Sequence, residues 1–172
     1  GVIRVVARGV RKIKSRLAGH LELLNNTQLT LVKGRGMDVV TGARRVKCYD
    51  ISSVFDRMQL AYLMAAAVSR LGEGAQGRGL YDLLEAGLEA LAAGSDRVLE
   101  LWFKLQLLDR LGYHPSLDYC LVCGRDDKSG GFAMSPELGG IVHLGCRPMD
   151  ADAVVLEPSH IKLWRLMLQH PV

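Results

Sequence analysis

The chain has 172 residues, 49% of them apolar and 23% charged, the proportions of a folded globular protein rather than a disordered or fibrous one. That length allows one sizeable core or two small ones. Net charge is only +4, and no apolar run approaches the roughly 20 residues that span a bilayer; the nearest, "LAYLMAAAV" over 60–68, is short and alanine-rich.

The opening, "GVIRVVARGV", has no initiator Met, no signal-peptide pattern, and starts inside what reads as a strand, so a fragment truncated at its N-terminus is expected. Over 2–8, Ile3, Val5 and Ala7 share one face while Arg4 and Arg8 lie on the other with Val2 and Val6, the alternation of a half-exposed strand. It leads into "RGVRKIKSR", where Arg8, Arg11, Lys12, Lys14 and Arg16 crowd a loop with no period of its own. Two β-rich runs follow, Leu29–Lys33 and Met37–Thr41, separated by the turn Gly34-Arg35-Gly36, and a third run covers Ala43–Lys47. An antiparallel meander is the natural reading.

Charge is distributed unevenly along the chain. Up to Lys47, eleven Lys and Arg face two acidic residues, Glu22 and Asp38, for +9; from Cys48 onward eleven basic residues face sixteen acidic ones, for −5. A compact basic segment attracts polyanions, because neutralising phosphates releases condensed counterions. A small basic antiparallel unit suits a nucleic-acid-binding barrel such as the OB-fold, although too few strands are present to close one.

After Asp50 the period changes from two to about 3.6. Val54, Met58, Ala61, Tyr62, Ala65 and Val68 mark a helix from about Ser52 to Leu71, which "GEGAQGRG" over 72–79 ends; a second runs from about Leu80 to Ala93. A third has Ser95 to cap it, Asp96 at its positive end and Gly112 past its last turn, with Val98, Leu101, Trp102, Leu105, Leu108 and Leu111 as its buried stripe. The last begins near Pro158, with Ile161, Trp164 and Met167 or Leu168 facing inward. The reading is α+β and multidomain: a partial OB-fold over 1–48, then an all-α helical domain over 49–172 with an insertion at about 117–149.

That insertion holds Cys120-x-x-Cys123 and, after nineteen residues, His143-x-x-Cys146. Two short pairs at this separation are the spacing of a tetrahedral structural zinc site, one ion held by Cys120, Cys123, His143 and Cys146. Gly124 and the Gly139-Gly140 doublet supply turns, and Phe132 with Ile141 across the hairpin can cover the metal. The alternatives are core cysteines, a redox pair or a disulfide framework. A redox C-x-x-C sits at a helix N-terminus after a strand, whereas this one follows the extended "YHPSLDY"; nothing points to the secretion a disulfide framework needs. Four protein ligands leave no position for a catalytic water. His20-Leu21-Glu22 matches the H-x-E of zinc deaminases only superficially, since the C-x-x-C lies about a hundred residues downstream and Tyr119 replaces the motif's proline. His20 reads as an ordinary loop or strand-edge histidine, His114, His160 and His170 lack convergent partners, and Cys48 reads as a small packing residue. With no phosphate loop, dinucleotide fingerprint or G-x-S-x-G elbow, no catalysis is expected.

The stretch "LQLLDRLGYHPSLDYCLVCG" followed by "FAMSPELGGIVHLGC" closely resembles the bacterial RecO recombination mediators, and "IRVVARGVRKIKSRLAGHLE" is similar to that family's N-terminal domain; the similarity runs from Gly1 to the final helix. The resemblance implies an OB-fold joined to a helical domain with a zinc finger. It implies a DNA repair protein that binds single- and double-stranded DNA, anneals strands, and works with RecR, single-stranded-DNA-binding protein and often RecF to place RecA on gapped DNA. It also implies a cytoplasmic, nucleoid-associated location. Relative to the family, the opening strands and the end of the helical domain are missing, and His143 stands where cysteine is usual, which makes metal affinity more acid-sensitive. The DNA surface it implies is Arg4, Arg8, Arg11, Lys12, Lys14 and Arg16, with Lys33, Arg35, Arg44 and Arg45 as additions. With only Tyr49 nearby as an aromatic, binding would be phosphate-driven and sequence-tolerant. The alternative is a zinc-stabilised protein–protein adaptor whose basic loop meets an acidic partner; a zinc hydrolase or deaminase is the third reading.

Overall fold

The computed structural model describes residues 2–12, 14–51, 55–72, 78–94, 97–126, 130–150 and 152–170. Backbone packing divides the chain into two compact units, Gly1–Glu100 and Leu101–Val172. The architecture is α+β, with two three-stranded sheets and four α-helices among the described residues.

In the first unit, β1 (Val5–Val6) runs parallel to β3 (Asp38–Lys47), and β2 (Asn26–Val32) pairs antiparallel with β3 on its other side. The expected strand over 2–8 shrinks to two residues. Val2 and Ile3 are solvent-exposed with no strand beside them, and Gly9, at φ +72°, turns the chain away two residues after the strand's last neighbour Ala7. The expected meander is a hairpin: the runs at 37–41 and 43–47 belong to one unbroken strand. Thr30 pairs with Gly42 but Leu31 with Val40, so Thr41 is an extra residue in β3, and a bulge stands where a turn was expected. β2 also starts three residues earlier than its apolar run, because its polar residues find partners. Asn26 donates to Glu85 (2.7 Å), Thr27 donates to the His20 carbonyl (2.7 Å), and Gln28 accepts from Arg44 (2.8 Å).

Helix α1 (Phe55–Leu71) buries Ala61, Met64 and Val68 and packs against α2 (Arg78–Ala92), which buries Leu80, Leu83, Leu88 and Leu91. Complete burial of a leucine such as Leu83 or Leu91 contributes about 2–3 kcal/mol. Tyr62, expected inside, is 43% exposed, because the buried arc runs through Met64 instead. The expected helix start at 52–54, including Val54, and most of the glycine-rich break lie outside the described residues. Polar bonds fasten α2 to the sheet: Glu85 accepts from Asn26 and, at 3.4 Å, from the Tyr49 hydroxyl, and Glu89 pairs with Lys47.

Helix α3 (Arg97–Arg110) carries the unit boundary, and Gly112 follows it with φ +88°. Ser95 and Asp96, expected to cap it, lie outside the described residues. Its buried set is Leu99, Trp102, Phe103, Leu105, Gln106 and Leu107, whereas Val98 and Leu108 are 65% and 43% exposed. The expected stripe was displaced because Gln106, a polar residue, belongs to the core: its amide donates to the Met167 carbonyl at 2.6 Å, and Trp102 Nε1 donates to the His170 carbonyl. Both satisfy carbonyls in the last turn and C-cap of α4 (Pro158–Gln169) that have no partner within that helix. At its other end α4 has Pro158 in the first turn and a reciprocal cap between Glu157 and His160. Ile161 and Met167 are buried and Trp164 and Leu168 half-buried, as the periodicity requires. The inserted segment forms the second sheet, order β5-β4-β6, from β4 (Phe132–Ser135), β5 (Gly140–His143) and β6 (Val154–Leu156). β6 was not expected from the sequence. Leu117, Phe132, Ile141, Leu156 and Ile161 make its core on one side, and Cys120, Ala133, Val142 and Ala153 cluster separately.

Candidate functional site

The segment after α3 crosses the β5 edge of the second sheet. Ser116 bridges to Gly140, its amide bonding to the Gly139 carbonyl and its carbonyl accepting from Ile141. The crossing is too close for any side chain at 140: a Cβ there would lie 2.5 Å from the Ser116 carbonyl oxygen and 2.6 Å from Leu121 Cδ1. The chain then forms a knuckle. Gly124, at φ +72°, donates its N–H to the Cys120 carbonyl (2.8 Å), and the Cys120 N–H donates to the Arg125 carbonyl (2.8 Å). The second knuckle is the 3-10 turn Leu144–Met149 that follows β5 directly.

These two turns bring all four expected ligands together. The donor atoms of Cys120, Cys123, His143 and Cys146 lie within 4.8 Å of one another. A tetrahedral ion with metal–sulfur bonds of about 2.3 Å and metal–nitrogen bonds of about 2.0 Å sets its donors about 3.5–3.8 Å apart, so small inward movements suffice. Cys123 Sγ and His143 Nδ1 are 3.3 Å apart, and the His143 backbone N–H donates to Cys120 Sγ, also at 3.3 Å. Phe132, opposite His143 in the ladder, stacks on its imidazole with ring centres 4.8 Å apart. Cys120 and His143 are buried, Cys146 is half-buried and Cys123 is exposed.

The electrostatics suit a cation. The backbone N–H of Arg125 and then its side chain hold the Cys123 thiol down to about 6, well below its ordinary value. Burial pushes the Cys120 thiol up, but amides from Cys123, His143 and Val122 outweigh that and leave it lowered. Cys146 moves the other way, raised by burial and by the adjoining sulfurs of Cys123 and Cys120. The surroundings thus favour the thiolate at two sulfurs and disfavour it at the third, a conflict that a metal ion would remove. Three sulfurs and one imidazole fit a soft or borderline divalent ion, and such a set leaves no open position for a water.

Two expected details change. Ile141 packs with Leu117, Phe132, Leu156 and Ile161, whereas the apolar residues clustered with Cys120 are Ala133, Val142 and Ala153. Cys48 is exposed rather than packed, since it lies one residue past the last pair of the β2–β3 ladder, where nothing covers it. Arg125 is not among the residues the sequence marks as ligands. Its signal was its place directly after the glycine of C-x-x-C-G, where its amide can reach a knuckle sulfur.

The basic residues lie in the first unit. Arg4, Arg8, Arg11, Lys12, Lys14, Arg16, Lys33, Arg35, Arg44 and Arg45 are all exposed. They are spread along the sheet rather than gathered at one end. Arg4 precedes the strand paired with Asp38, beside the hairpin loop that carries Lys33 and Arg35. Arg44 and Arg45 lie toward the other end of β3, roughly 20 Å away by strand rise, and as successive strand residues they point to opposite faces. The loop from Arg8 to Arg16 connects these ends: it leaves β1, turns through bonds from Lys12 N–H to Gly9 and Ser15 N–H to Lys12, and reaches the short turn at Ala18–His20. There His20 accepts from Thr27 through its carbonyl and, at 3.4 Å, from the Arg45 N–H through Nδ1, a structural role for that histidine. Charge is therefore strung along the length of the sheet.

Residues 1–49 match the family model described as Recombination protein O N terminal, and residues 52–172 match that described as Recombination protein O C terminal. Among relatives named DNA repair protein RecO, that of Roseiflexus sp. (strain RS-1) is 37% identical over 98% of this chain and 61% of its own length. That of Heliobacterium modesticaldum is 35% identical over 98% of this chain and 64% of its own length, and that of Rubrobacter xylanophilus 31% over 86% and 60%. The chain thus spans about three-fifths of the length of these relatives. No described helix is long and apolar enough to cross a membrane. Two consecutive family models covering nearly every residue, with the Cys3His cluster lying inside the second, make this chain a member of the RecO family, whose relatives are DNA repair proteins.

Proposed function

We propose that the chain is a non-catalytic DNA-binding mediator of repair and recombination. Its first sheet is read as part of an OB-fold over 1–48, which holds single- and double-stranded DNA through phosphates. The remainder, 49–172, is read as a helical domain braced by one zinc ion in a finger at about 117–149. The observation that carries the reading is that ten basic side chains, all exposed, fall within the first 45 residues of a RecO-family chain. Strung along a sheet, they suit the sugar-phosphate backbone of a nucleic acid better than a compact anion. Binding through phosphates, with only Tyr49 nearby as an aromatic, is sequence-tolerant.

Family membership supports the further steps: strand annealing, and placement of RecA with RecR, single-stranded-DNA-binding protein and RecF, in the cytoplasm at the nucleoid. Zinc is the ion proposed because the donor set is Cys3His, which a redox-inert ion fills in tetrahedral geometry. The ion would orient the two knuckles and do no chemistry.

The test is the salt dependence of affinity for a single-stranded oligonucleotide. Affinity should fall about tenfold or more between 50 and 200 mM salt if several phosphates are held. A flat response would remove the proposal. A second reading, a zinc-stabilised adaptor that meets an acidic protein, draws on the pairing of Lys47 with Glu89, which shows a carboxylate engaging this basic segment. Charge reversal at Arg11, Lys12 and Lys14 that weakened capture of a protein partner but left DNA retention intact would favour it.

A further inference from the structure

The ligand cluster is not the only buried polar feature of the second unit. Ser135, the last residue of β4, is completely buried, and Asp150, just past the second knuckle, is 8% exposed. The Ser135 hydroxyl donates to Asp150 Oδ2 at 2.5 Å and accepts from the Leu138 N–H at 3.1 Å. The other carboxylate oxygen, Oδ1, accepts from the Asp152 N–H at 2.9 Å, and the Asp150 N–H donates to the Arg147 carbonyl at 3.0 Å, ending the 3-10 turn that contains Cys146. The carboxyl is held below the ordinary carboxylate range, first by the Ser135 hydroxyl and against the effect of burial, so the group is an anion. A buried carboxylate is tolerated only where hydrogen bonds replace water, and one so placed in a small unit needs a reason.

The topology gives one. The turn Leu144–Met149 carries Cys146 directly after His143, so two of the four ligands depend on where that turn sits. Its start is fastened by the Leu144 N–H to the Gly131 carbonyl at 3.2 Å, and its end by Asp150. Beyond Asp150 the chain returns through Ala153, which packs in the same cluster as Cys120 and Cys146. Ser135 in turn anchors the β4–β5 turn through Leu138 and, by its carbonyl, through the Gly139 N–H at 3.0 Å. Two segments far from each other in the ligand order are thus joined at one carboxyl, by the Ser135 hydroxyl and by the Glu137 backbone amide.

We propose that Ser135 and Asp150 are positioning residues for the metal site: acting as a unit, they dock the Cys146 turn onto the β4–β5 hairpin so that His143 and Cys146 stand opposite Cys120 and Cys123 before the ion arrives. The proposal rests on the metal reading above. It also accounts for the serine four residues before the glycine doublet in "SPELGG".

The test compares wild type, Ser135→Ala, Asp150→Asn and the double variant of the full chain, using zinc(II) against a competing chelator and cobalt(II) as a visible probe. Each single change should weaken metal binding about tenfold or more, the scale on which outer-shell partners act. At saturation the cobalt absorption should keep the wild-type band positions, because the three sulfurs and one imidazole are unchanged. The double variant should bind within about twofold of the weaker single variant, since both changes weaken the same hydroxyl–carboxylate contact. Singles within about twofold of wild type, shifted cobalt bands, or losses that add in the double variant would each overturn the proposal. If Asp150→Asn fails to fold, Ser135→Ala, which removes one oxygen, decides alone. A wild type that takes up neither ion would instead sink the metal reading, and this inference with it.

Discussion

The chain builds two three-stranded sheets of opposite character. In β1, β2 and β3, Val40 alone among the described strand residues is fully buried, and the last four residues of β3, Arg44 to Lys47, are all exposed. In the second sheet every residue of β5 is buried, as are three of the four in β4. An open sheet leaves its basic side chains at the surface and contributes little core. One whose strands β4 and β5 are largely buried contributes core and fixes the buried ligands Cys120 and His143. The difference teaches that the two candidate activities of this family member, holding a phosphate chain and holding an ion, call for opposite treatments of the same kind of secondary structure.

The sharpest way to break this comparison is to empty the metal site. Structural zinc contributes about 10–16 kcal/mol to the folding of zinc-finger peptides, as much as a whole domain's net stability. Cys120→Ser, or chelation of the wild type, should therefore lose about one equivalent of metal and unfold the second sheet. Hydrogen exchange should report lost protection from Leu117 to Leu156 while β2 and β3 keep theirs. Equal loss in both sheets would show that they do not stand independently. The next effect belongs to the first sheet. Replacing Arg11, Lys12 and Lys14 with Ala should reduce the slope of log affinity against log salt for single-stranded DNA by about 2, at roughly 0.7 per phosphate contact, with metal content unchanged. Smaller again is Gly140→Ala. Its added methyl meets Ser116 and Leu121 at under 3 Å, an overpacking that should cost about 1–3 kcal/mol in thermal unfolding of the metal-loaded protein.

The ligand site was more legible in the sequence than the fold around it. Cys120, Cys123, His143 and Cys146 are marked by residue type and spacing, and spacing of this kind constrains geometry almost without reference to the rest of the chain. What spacing could not reveal is the support: Arg125 acts through its backbone amide, and Ser135 meets Asp150 fifteen residues away through a bond that leaves no periodic trace. The helices were legible where burial follows the apolar period, as in α4, and were misread where it does not. Gln106 is buried because it satisfies α4 carbonyls, which no property of α3 alone announces. The first sheet was legible as β-structure and as charge. Its topology was not, because the parallel pairing of Val5 with Asp38 and the bulge at Thr41 are decided by partners distant in sequence. The ten basic side chains could be counted from the sequence, but only the register shows that they extend along β3.

The smallest effect concerns how the first sheet is fastened to α2. Burial, and then the carboxylate of Glu85, push the Tyr49 phenol up to about 12 from an ordinary 10.0. The neutral phenol is the form the folded state favours, so its contribution to stability is fully present below pH 10 and is lost as pH rises through about 12. Ultraviolet titration of phenolate should accordingly show an ionisation near pH 12 that Tyr49→Phe removes. Glu85→Gln should bring that titration down only part of the way, because burial is the larger cause and persists without the charge. The same change should leave metal content untouched and alter DNA affinity only slightly, since Glu85 sits in the fastening, where it holds Asn26 and Tyr49. A Tyr49 that titrated near its ordinary 10.0 would mean that the sheet and α2 separate in solution, and the open sheet would then owe its exposure to a loose attachment rather than to its own pattern of charge.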